Sequence, residues 1–496
     1  MSFSHLIHVV CYTFFQAACS TLLAILIAFP LAFFCAKRKF FFRKFLLSLS
    51  LVPFCLPSLI IALGYVSFLG LNGNLNHFLM TVFGLKNPPV KFLYSFAGLI
   101  IAQGFYNFPI IMKSLSDSWE VLPSDSSDAA KMLGASNSRI FRTITIYQLL
   151  PSLSSSSLLV FIYCFLSFIL VLLFGGVGTS TLEVEIFKAA RGSLDFSKVA
   201  LLTITESSFL ILITCLYSFV EIKSSQKTKG IKNSLKDQHS SIRGAKEILI
   251  FSLLLFIILL FFIAPLGAII TNAFTSSNIR EKGFTFSTFK KVFSMRSFLP
   301  SLKTTILLGL GTGFLSTLLG FFYATLLRFA ERKFYGRLIL FLNVLPMLPM
   351  TISSVAAGII ISLIVKRGNL MLLILTQTAL FWPLSFRIIN PRLAKISSQS
   401  LDSAFIYSRN TFDIIKRVIF PVSLPSLINS FGFCFAVSAG DTTLPLVLSI
   451  PKLDTLSLFT YRLAGAYRFN EACASGVILG GLCILLYSLT KFFDRD

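Results

Sequence analysis

Residues 12–33 read YTFFQAACSTLLAILIAFPLAF, an apolar run without a charged side chain. A helix of about 20 apolar residues spans the hydrocarbon layer of a bilayer, so this run predicts a transmembrane helix. Similar runs recur along the 496 residues of the chain, of which 55% are hydrophobic and 13% charged. Soluble globular proteins carry about 25% charged residues, so the composition excludes an ordinary soluble fold. The sequence therefore predicts an all-α polytopic membrane protein.

Eleven uncharged apolar windows predict eleven transmembrane helices. They lie near residues 8–35, 45–69, 93–112, 153–174, 199–220, 248–271, 304–327, 338–365, 369–386, 424–447 and 473–490. The chain has a formal net charge of +24, and its cations concentrate in every second connecting segment. Those segments are 37–44, 113–148, 222–247, 328–337, 387–421 and the C-terminal tail. Because cytoplasmic loops carry the excess of Lys and Arg, we expect the N-terminus outside and the C-terminus in the cytoplasm.

The chain contains an internal repeat. Matching positions of the two copies differ in residue number by 294 before residue 70 and by 274 after residue 92. The first copy therefore carries about 20 extra residues, which we expect within 70–92. Six predicted helices separate the copies, an even number, so both copies cross the membrane in the same direction. We expect two parallel, pseudo-symmetric halves, 1–221 and 248–496, joined by a polar cytoplasmic linker, 222–247. Pairs that superpose at offset 274 include Gln103 with Gln377, Pro109 with Pro383, Asp128 with Asp402, and Ala130 with Ala404.

Each half has one long cytoplasmic loop, 115–150 in the first and 388–423 in the second. Within them lie SDAAKMLGASNSRIFRTITIYQLLPSL (127–153) and LDSAFIYSRNTFDIIKRVIFPVSLPSL (401–427). Both predict a short helix of small residues, then a turn, then an amphipathic return to the bilayer. A simple interfacial connector has the same pattern, but two copies at one offset favour a helix that fits a groove on another protein. The residues concerned are Asp128, Ala129, Ala130, Gly134, Asp402, Ser403, Ala404 and Ser408.

These loops resemble the EAA loop of ABC-importer permeases, whose pattern is Glu-Ala-Ala, three residues, Gly, nine residues, Ile, one residue and Leu-Pro. Both copies are degenerate, because Asp128 and Asp402 replace the Glu and Ser408 replaces the Gly. The resemblance extends to the fused double permeases of thiamine and ferric-iron importers, through LVPFCLPSLIIALGYVSFLGLNG (51–73) in the first half. In the second half, SAGDTTLPLVLSIPKLDTLSLFTYRLAGAYRFNEACA (438–474) is most similar to the thiamine branch.

The resemblance implies a non-enzymatic permease subunit in a bacterial inner membrane. Its partners would be a cytoplasmic ABC ATPase dimer and a periplasmic substrate-binding protein, and its cargo thiamine, with ferric iron as the alternative. The chain has no G-x-x-x-x-G-K-[ST] phosphate loop, so ATP hydrolysis is expected in a separate subunit. An ion-coupled secondary transporter with parallel halves and a membrane-embedded enzyme are the other classes considered. A catalytic centre and a metal site are not expected, since the His and Cys residues have no ligand-like spacing. No cofactor is expected, and nucleic acid is not expected either, because the excess cations of a membrane protein collect in its cytoplasmic loops.

Six residues within the predicted helices are candidates for roles in the transport path. Glu206 and Asp441 are acidic residues at membrane depth, where ionisable groups mark candidate functional sites. A structural role is open for both: Glu206 through nearby hydroxyls, and Asp441 as a cap. The others are Pro53, Pro57, Pro346 and Pro349, which predict paired kinks that form either a flexing gate or simple packing bends.

Overall fold

The computed structural model describes residues 3–122, 125–175, 180–228, 240–241, 244–275, 283–333, 337–365 and 368–492, and these are mostly helical. The helices before the linker are α1 Phe3–Lys37, α2 Arg43–Ser48, α3 Val52–Cys55, α4 Ser58–Leu69, α5 Asn74–Phe83, α6 Phe96–Glu120, α7 Asp125–Met132, α8 Asn137–Ile140, α9 Ile146–Phe165, α10 Ile169–Phe174, α11 Leu182–Lys188 and α12 Phe196–Thr228. Those after it are α13 Ala245–Ile258, α14 Ala264–Ala273, α15 Ser287–Ser294, α16 Phe298–Lys333, α17 Arg337–Val344, α18 Ser354–Ile364, α19 Leu370–Leu393, α20 Ser398–Tyr407, α21 Thr411–Ile414, α22 Phe420–Gly440, α23 Thr443–Leu448, α24 Leu456–Gly465 and α25 Phe469–Phe492.

Shorter elements connect the α-helices. The two-residue strands β1 (Arg38–Lys39) and β2 (Ser240–Ser241) pair in parallel. In the part of the chain that the structure describes, 3₁₀ turns cover Leu49–Leu51, Phe92–Tyr94 and Leu345–Thr351. Turns of π-helix cover Phe141–Thr145, Ala189–Ser193, Leu259–Ile263 and Ile415–Ile419.

The prediction of an all-α polytopic membrane protein is confirmed, but the predicted count of eleven spans is not. Within the described ranges nine helices are long and apolar enough to cross a membrane, or ten if the bent pair Phe341–Thr351 and Ser354–Ile364 is one span. The 25-residue helix α6, predicted as a span at 93–112, is not among the nine. It carries the polar residues Gln103 and Asn107 on its buried face.

The helix boundaries repeat at the offset found in the sequence. Among the described residues, five helices of the first half and their counterparts in the second have first residues whose numbers differ by 274: α6 and α19, α8 and α21, α9 and α22, α10 and α23, and α11 and α24. In both halves a five-residue π turn precedes the long helix, at Phe141–Thr145 before α9 and at Ile415–Ile419 before α22. The extra residues of the first half include α5, and the amide of the buried Asn76 bonds to the carbonyls of Gly70 and Val90, both at 2.8 Å.

Four predicted helices are broken in the structure. The window 45–69 contains α2, α3, α4 and a 3₁₀ turn, and 338–365 is bent by 72° after the 3₁₀ turn Leu345–Thr351. Proline lacks the N–H that a continuous helix needs, which explains breaks at prolines in both windows. The other two windows, 153–174 and 424–447, each contain the end of a long helix, at Phe165 and Gly440, and then a six-residue helix.

Two compact units contain these helices. The first comprises Met1–Pro53, Gly64–Glu185 and Ala200–Ala268, and the second Phe54–Leu63, Ile186–Val199 and Ile269–Asp496. In the first unit the Trp119 ring lies 5.5 Å from the rings of Phe29 and Phe33. In the second, a buried apolar cluster joins α16, α19, α20 and α21. Each unit therefore has its own core of long helices.

Candidate coupling loops and buried polar sites

The first predicted loop forms helix α7, which has no buried residue between Ser126 and Met132. The Asp128 carboxylate pairs with Lys131 of the same helix at 3.1 Å. Ala129 is exposed and Ala130 half-buried, and the carbonyl of Ala130 accepts the Ala135 N–H at 3.0 Å.

Gly134 ends this helix with a φ of +81°, a left-handed conformation that favours glycine. A Cβ added at Gly134 would meet no atom within 4 Å. The requirement for glycine therefore comes from the backbone conformation and not from close packing.

The second predicted loop forms helix α20, which is packed against the core of its unit. Leu401 is 4% exposed and belongs to the buried cluster, and Ala404 and Phe405 pack against that cluster. The Arg332 guanidinium lies 4.0 Å from the centroid of the Phe405 ring and also pairs with the Asp402 carboxylate, at 2.9 Å. Arg332 of α16 therefore contacts two side chains that lie about one helical turn apart on α20.

The end of the second loop differs from that of the first. Ser408 has φ −93° and ψ 144°, an extended conformation that any residue adopts, and its N–H donates to the Ala404 carbonyl at 3.0 Å. No glycine is needed here, which explains why the replacement of the family's Gly by Ser408 is compatible with the fold. Ser403 is exposed on the preceding turn.

Both loop helices expose an apolar pair that the sequence analysis did not single out. Met132 and Leu133 are 90% and 88% exposed, and Ile406 and Tyr407, at the same repeat positions, are 78% and 88% exposed. The signal was present in the sequence, because both copies place two apolar residues directly before the Gly134 and Ser408 positions.

Asp441 lies in the break between α22 and α23. Its Oδ1 accepts the backbone N–H of Thr443 at 2.9 Å, and its Oδ2 accepts Nε2 of Gln377 at 3.0 Å. Its carbonyl accepts the hydroxyl of Ser457 at 2.9 Å. Asp441 therefore caps α23 and joins it to α19 and α24, which is the structural alternative left open for this residue.

The second acidic candidate and the prolines lie elsewhere. Glu206 is fully buried on α12, in the first unit, whereas Asp441 belongs to the second. The Pro53 carbonyl accepts the hydroxyl of Tyr106 at 2.8 Å. A Cβ added at Gly440 would lie 2.7 Å from Cγ of the buried Pro57.

The proline candidates of the second half, Pro346 and Pro349, both lie in the 3₁₀ turn before the 72° bend. Among the described residues, no group of three or more His, Cys, Asp or Glu is placed to hold a metal ion.

Comparison with known proteins finds that the chain is similar to membrane components of transport systems. Residues 28–225 match the family described as "Binding-protein-dependent transport system inner membrane component". A "Thiamine transport system permease protein ThiP" of Brucella abortus (strain 2308) is 24% identical over 96% of this chain and 85% of its own length. A protein of the same description from Escherichia coli (strain K12) is 24% identical over 98% of this chain and 89% of its own length.

A solved bacterial ABC transporter "involved in the import of the acidic polysaccharide alginate" is similar to half of the chain. The match covers 50% of this chain and 96% of that one, with 17% identity and a TM-score of 0.37. The family match, the near full-length relatives and the recurring helix pattern identify the chain as a multi-pass inner-membrane permease of the fused, binding-protein-dependent ABC-importer type.

Proposed function

We propose that the chain forms the translocation path of an ATP-driven importer for thiamine. The observation that carries the cargo is the similarity, over 96% and 98% of the chain, to two thiamine permeases. A periplasmic substrate-binding protein would deliver the cargo, and a separate cytoplasmic ABC ATPase dimer would hydrolyse ATP. Residues 1–221 and 248–496 act as two permease halves on either side of the linker 222–247. Ferric iron is the alternative cargo, and no feature of the described residues favours it.

The two loop helices are the proposed contacts with the ATPase dimer. Apolar side chains as exposed as Met132, Leu133, Ile406 and Tyr407 gain free energy when a partner removes them from water. Their recurrence at the common repeat offset suits a partner that is itself present in two copies. Asp128, Ala129, Asp402 and Ser403 lie on the same two loop helices as these apolar pairs. The small Ala130 lets α7 approach a groove closely, whereas Ala404 packs against the core of its own unit and helps to hold α20 in place.

The proposed orientation places both loops in the cytoplasm, with the N-terminus outside and the C-terminus inside. The alternation of basic segments supports it. Reporter fusions near Ser225 and after Asp496 should both read cytoplasmic. A reporter near Ser276 should read as outside the cytoplasm; Ser276 itself lies outside the described residues.

Within the membrane, we assign Glu206 to attraction of a cationic cargo and Asp441 to positioning of α23. The broken spans at Pro53 and Pro57 and at Pro346 and Pro349 are the proposed gate. Helix breaks of this kind place irregular backbone at membrane depth, which is tolerated where protein or water covers it.

The test is uptake of labelled thiamine by cells that lack other thiamine transport and express the complete system. Replacing Met132, Leu133, Ile406 and Tyr407 together by Ser should lower uptake at least about tenfold and abolish co-purification of the ATPase, because the apolar contact is lost. The matched control is Tyr467→Ser, since Tyr467 is 85% exposed and lies outside both loops. The combined Ala130→Arg and Ala404→Arg variant should behave like the fourfold Ser variant.

Two results would contradict the proposal. Retained ATPase binding in both loop variants would make the loops ordinary connectors. Iron uptake without thiamine uptake by the unmodified system would change the cargo while leaving the permease role intact.

A further inference from the structure

A cluster of polar side chains lies inside the first unit, where α1, α6 and α9 meet. Gln16 Nε2 donates to the Cys164 carbonyl at 3.0 Å, and the Ser20 hydroxyl donates to Gln103 Oε1 at 2.8 Å. Asn107 Nδ2 donates to the Gln103 carbonyl at 3.0 Å and lies 3.6 Å from Cys164 Sγ. The five residues are thus connected through Gln103 and Cys164.

Three amide atoms of this cluster have no hydrogen-bond partner among the described residues: Gln16 Oε1, Gln103 Nε2 and Asn107 Oδ1. Gln16 and Gln103 are 0% exposed and Asn107 is 3% exposed. Rotating any of the amides by half a turn exchanges its oxygen and nitrogen, but does not remove the shortage of partners. Buried polar groups in folded proteins almost always have partners, so the cluster is incomplete as a set of protein groups alone.

The second unit has a related cluster around the equivalent glutamine, with Phe381 at the position of Asn107. Gln377, the repeat partner of Gln103, donates from Nε2 to Asp441 Oδ2 at 3.0 Å. Its Oε1 accepts the hydroxyls of Ser438 at 2.5 Å and Thr312 at 3.3 Å. The carboxylate of Asp441 thus provides the acceptor that the side-chain nitrogen needs.

The first unit lacks that carboxylate. At offset 274, Cys164 stands in place of Ser438 and Ser167 in place of Asp441. The backbone is equivalent, because the N–H of Ser167 donates to the Cys164 carbonyl and that of Asp441 to the Ser438 carbonyl, both at 3.3 Å. The missing partner of Gln103 is therefore a difference in side chains and not in fold.

We propose that the first unit binds an internal water at this cluster, in place of the carboxylate that the second unit uses. Two acceptors and one donor match the two hydrogens and the lone pairs of a water molecule, and buried waters make 2–4 such bonds in proteins. A small cation fits less well, because Gln103 would direct an N–H toward it. The water joins α1 to α6 through exchangeable bonds, whereas Asp441 fixes α19 and α23 through a charged group. The site stands independently of the cargo and of the ATPase contact.

The first experiment is a structure of the full chain in lipid nanodiscs at a resolution that shows ordered waters. Density should lie within hydrogen-bond distance of at least two of Gln16 Oε1, Gln103 Nε2 and Asn107 Oδ1, and should persist when sodium and potassium are replaced by choline. Ser167→Asp should displace it, because the carboxylate then reaches Gln103, whereas the control Ser167→Ala should keep it. Absence of density, or density that requires a metal cation, overturns the proposal.

A second measurement does not depend on how Ser167→Asp folds. Gln377→Leu and Gln103→Leu both remove the amide oxygen that accepts a neighbouring hydroxyl, from Ser20 at Gln103 and from Thr312 at Gln377. In addition, Gln377→Leu leaves the buried Asp441 carboxylate without its side-chain donor, whereas Gln103→Leu removes a bond to an exchangeable water. We expect Gln377→Leu to lower the melting temperature of the purified chain at least twice as much as Gln103→Leu. An equal or larger drop for Gln103→Leu overturns the proposal, because Gln103 would then have a protein partner as important as Asp441.

Discussion

Helices α7 and α20 occupy the same position in the two repeats, yet only α20 is packed against a core. The difference lies at two pairs of repeat positions one helical turn apart. Where α20 has Leu401 and Phe405, α7 has Ser127 and Lys131. Residues four apart lie on one face of a helix, so Leu401 and Phe405 form an apolar stripe that α7 lacks. Repeats of one chain thus keep the same exposed apolar tips while differing in how firmly each tip is held.

The packing of α20 has a consequence for its stability. Burying a Leu or Phe side chain stabilises by about 1.5–3 kcal/mol, and local regions with few buried contacts open most easily. Helix α20 therefore presents Ile406 and Tyr407 from a fixed position. Met132 and Leu133 lie at the end of α7, which has few buried contacts, and the proposed contact with the ATPase would supply the missing packing.

The largest expected effect comes from converting α20 into the likeness of α7. The double variant Leu401→Ser with Phe405→Lys should weaken docking of α20 by about 3 kcal/mol, because a buried apolar side chain and a cation–π contact are lost. If trypsin cuts after the exposed Arg409 only when α20 is undocked, the cleavage rate follows the population of the undocked form and should rise about 100-fold.

The reciprocal variant provides the control for this comparison. Ser127→Leu with Lys131→Phe should change cleavage at Arg139 less than about threefold, since α7 has no buried residue between Ser126 and Met132. A cleavage rate at Arg409 that stays unchanged in the α20 variant would show that the stripe does not hold the helix.

The next effect concerns the two loop ends. Gly134→Val should destabilise the turn after α7 by about 1–2 kcal/mol, because a β-branched residue is strained at a φ of +81°. Ser408→Val should stay within about 0.5 kcal/mol, since an extended backbone suits valine. Cleavage at Arg139 and Arg409 measures both variants. Equal costs at the two ends would mean that something other than backbone conformation distinguishes them.

Most of the fold followed from apolar runs and from the repeat, because both depend on residue types that can be counted along the chain. The repeat offset recurs in the helix starts, from α6 and α19 onward. The prolines in the windows 45–69 and 338–365 predicted kinks there. They did not predict where each helix would end, because a helix interrupted by proline can kink, turn or end according to what packs around it.

The candidate sites were less predictable. Residue spacing identified the loops, but the contact of Arg332 with Asp402 and Phe405 joins residues about 70 positions apart in the chain, which a local pattern does not reveal. Asp441 could be read either as a pathway acid or as a cap, and its hydrogen bonds from Thr443 and Gln377 favour the cap. The difference between Ser167 and Asp441 matters for hydrogen bonding because Gln103 and Gln377 occupy equivalent places, and among the described residues only Gln377 has a carboxylate partner. Neither residue type predicts that contact from the sequence alone.

The smallest expected effect separates charge from packing in the same comparison. Asp402→Asn should weaken docking of α20 by about 0.5 kcal/mol, because Arg332 and Asp402 are 42% and 52% exposed and water screens their pairing. The Arg332 contact with the Phe405 ring remains in this variant. Asp128→Asn removes only the pairing with Lys131 within α7. It should destabilise α7 by no more than about half as much as Asp402→Asn weakens the docking of α20.

Salt provides the check on this last prediction. Raising ionic strength from about 0.05 M to 0.5 M should shrink the difference between Asp402→Asn and the unmodified chain, since exposed ion pairs are screened. The difference between Leu401→Ser/Phe405→Lys and the unmodified chain should persist, because the Leu401 contribution is burial of apolar surface. A loss in Asp402→Asn as large as that of the double variant, and insensitive to salt, would reverse the ranking and make Arg332–Asp402 the main attachment of α20.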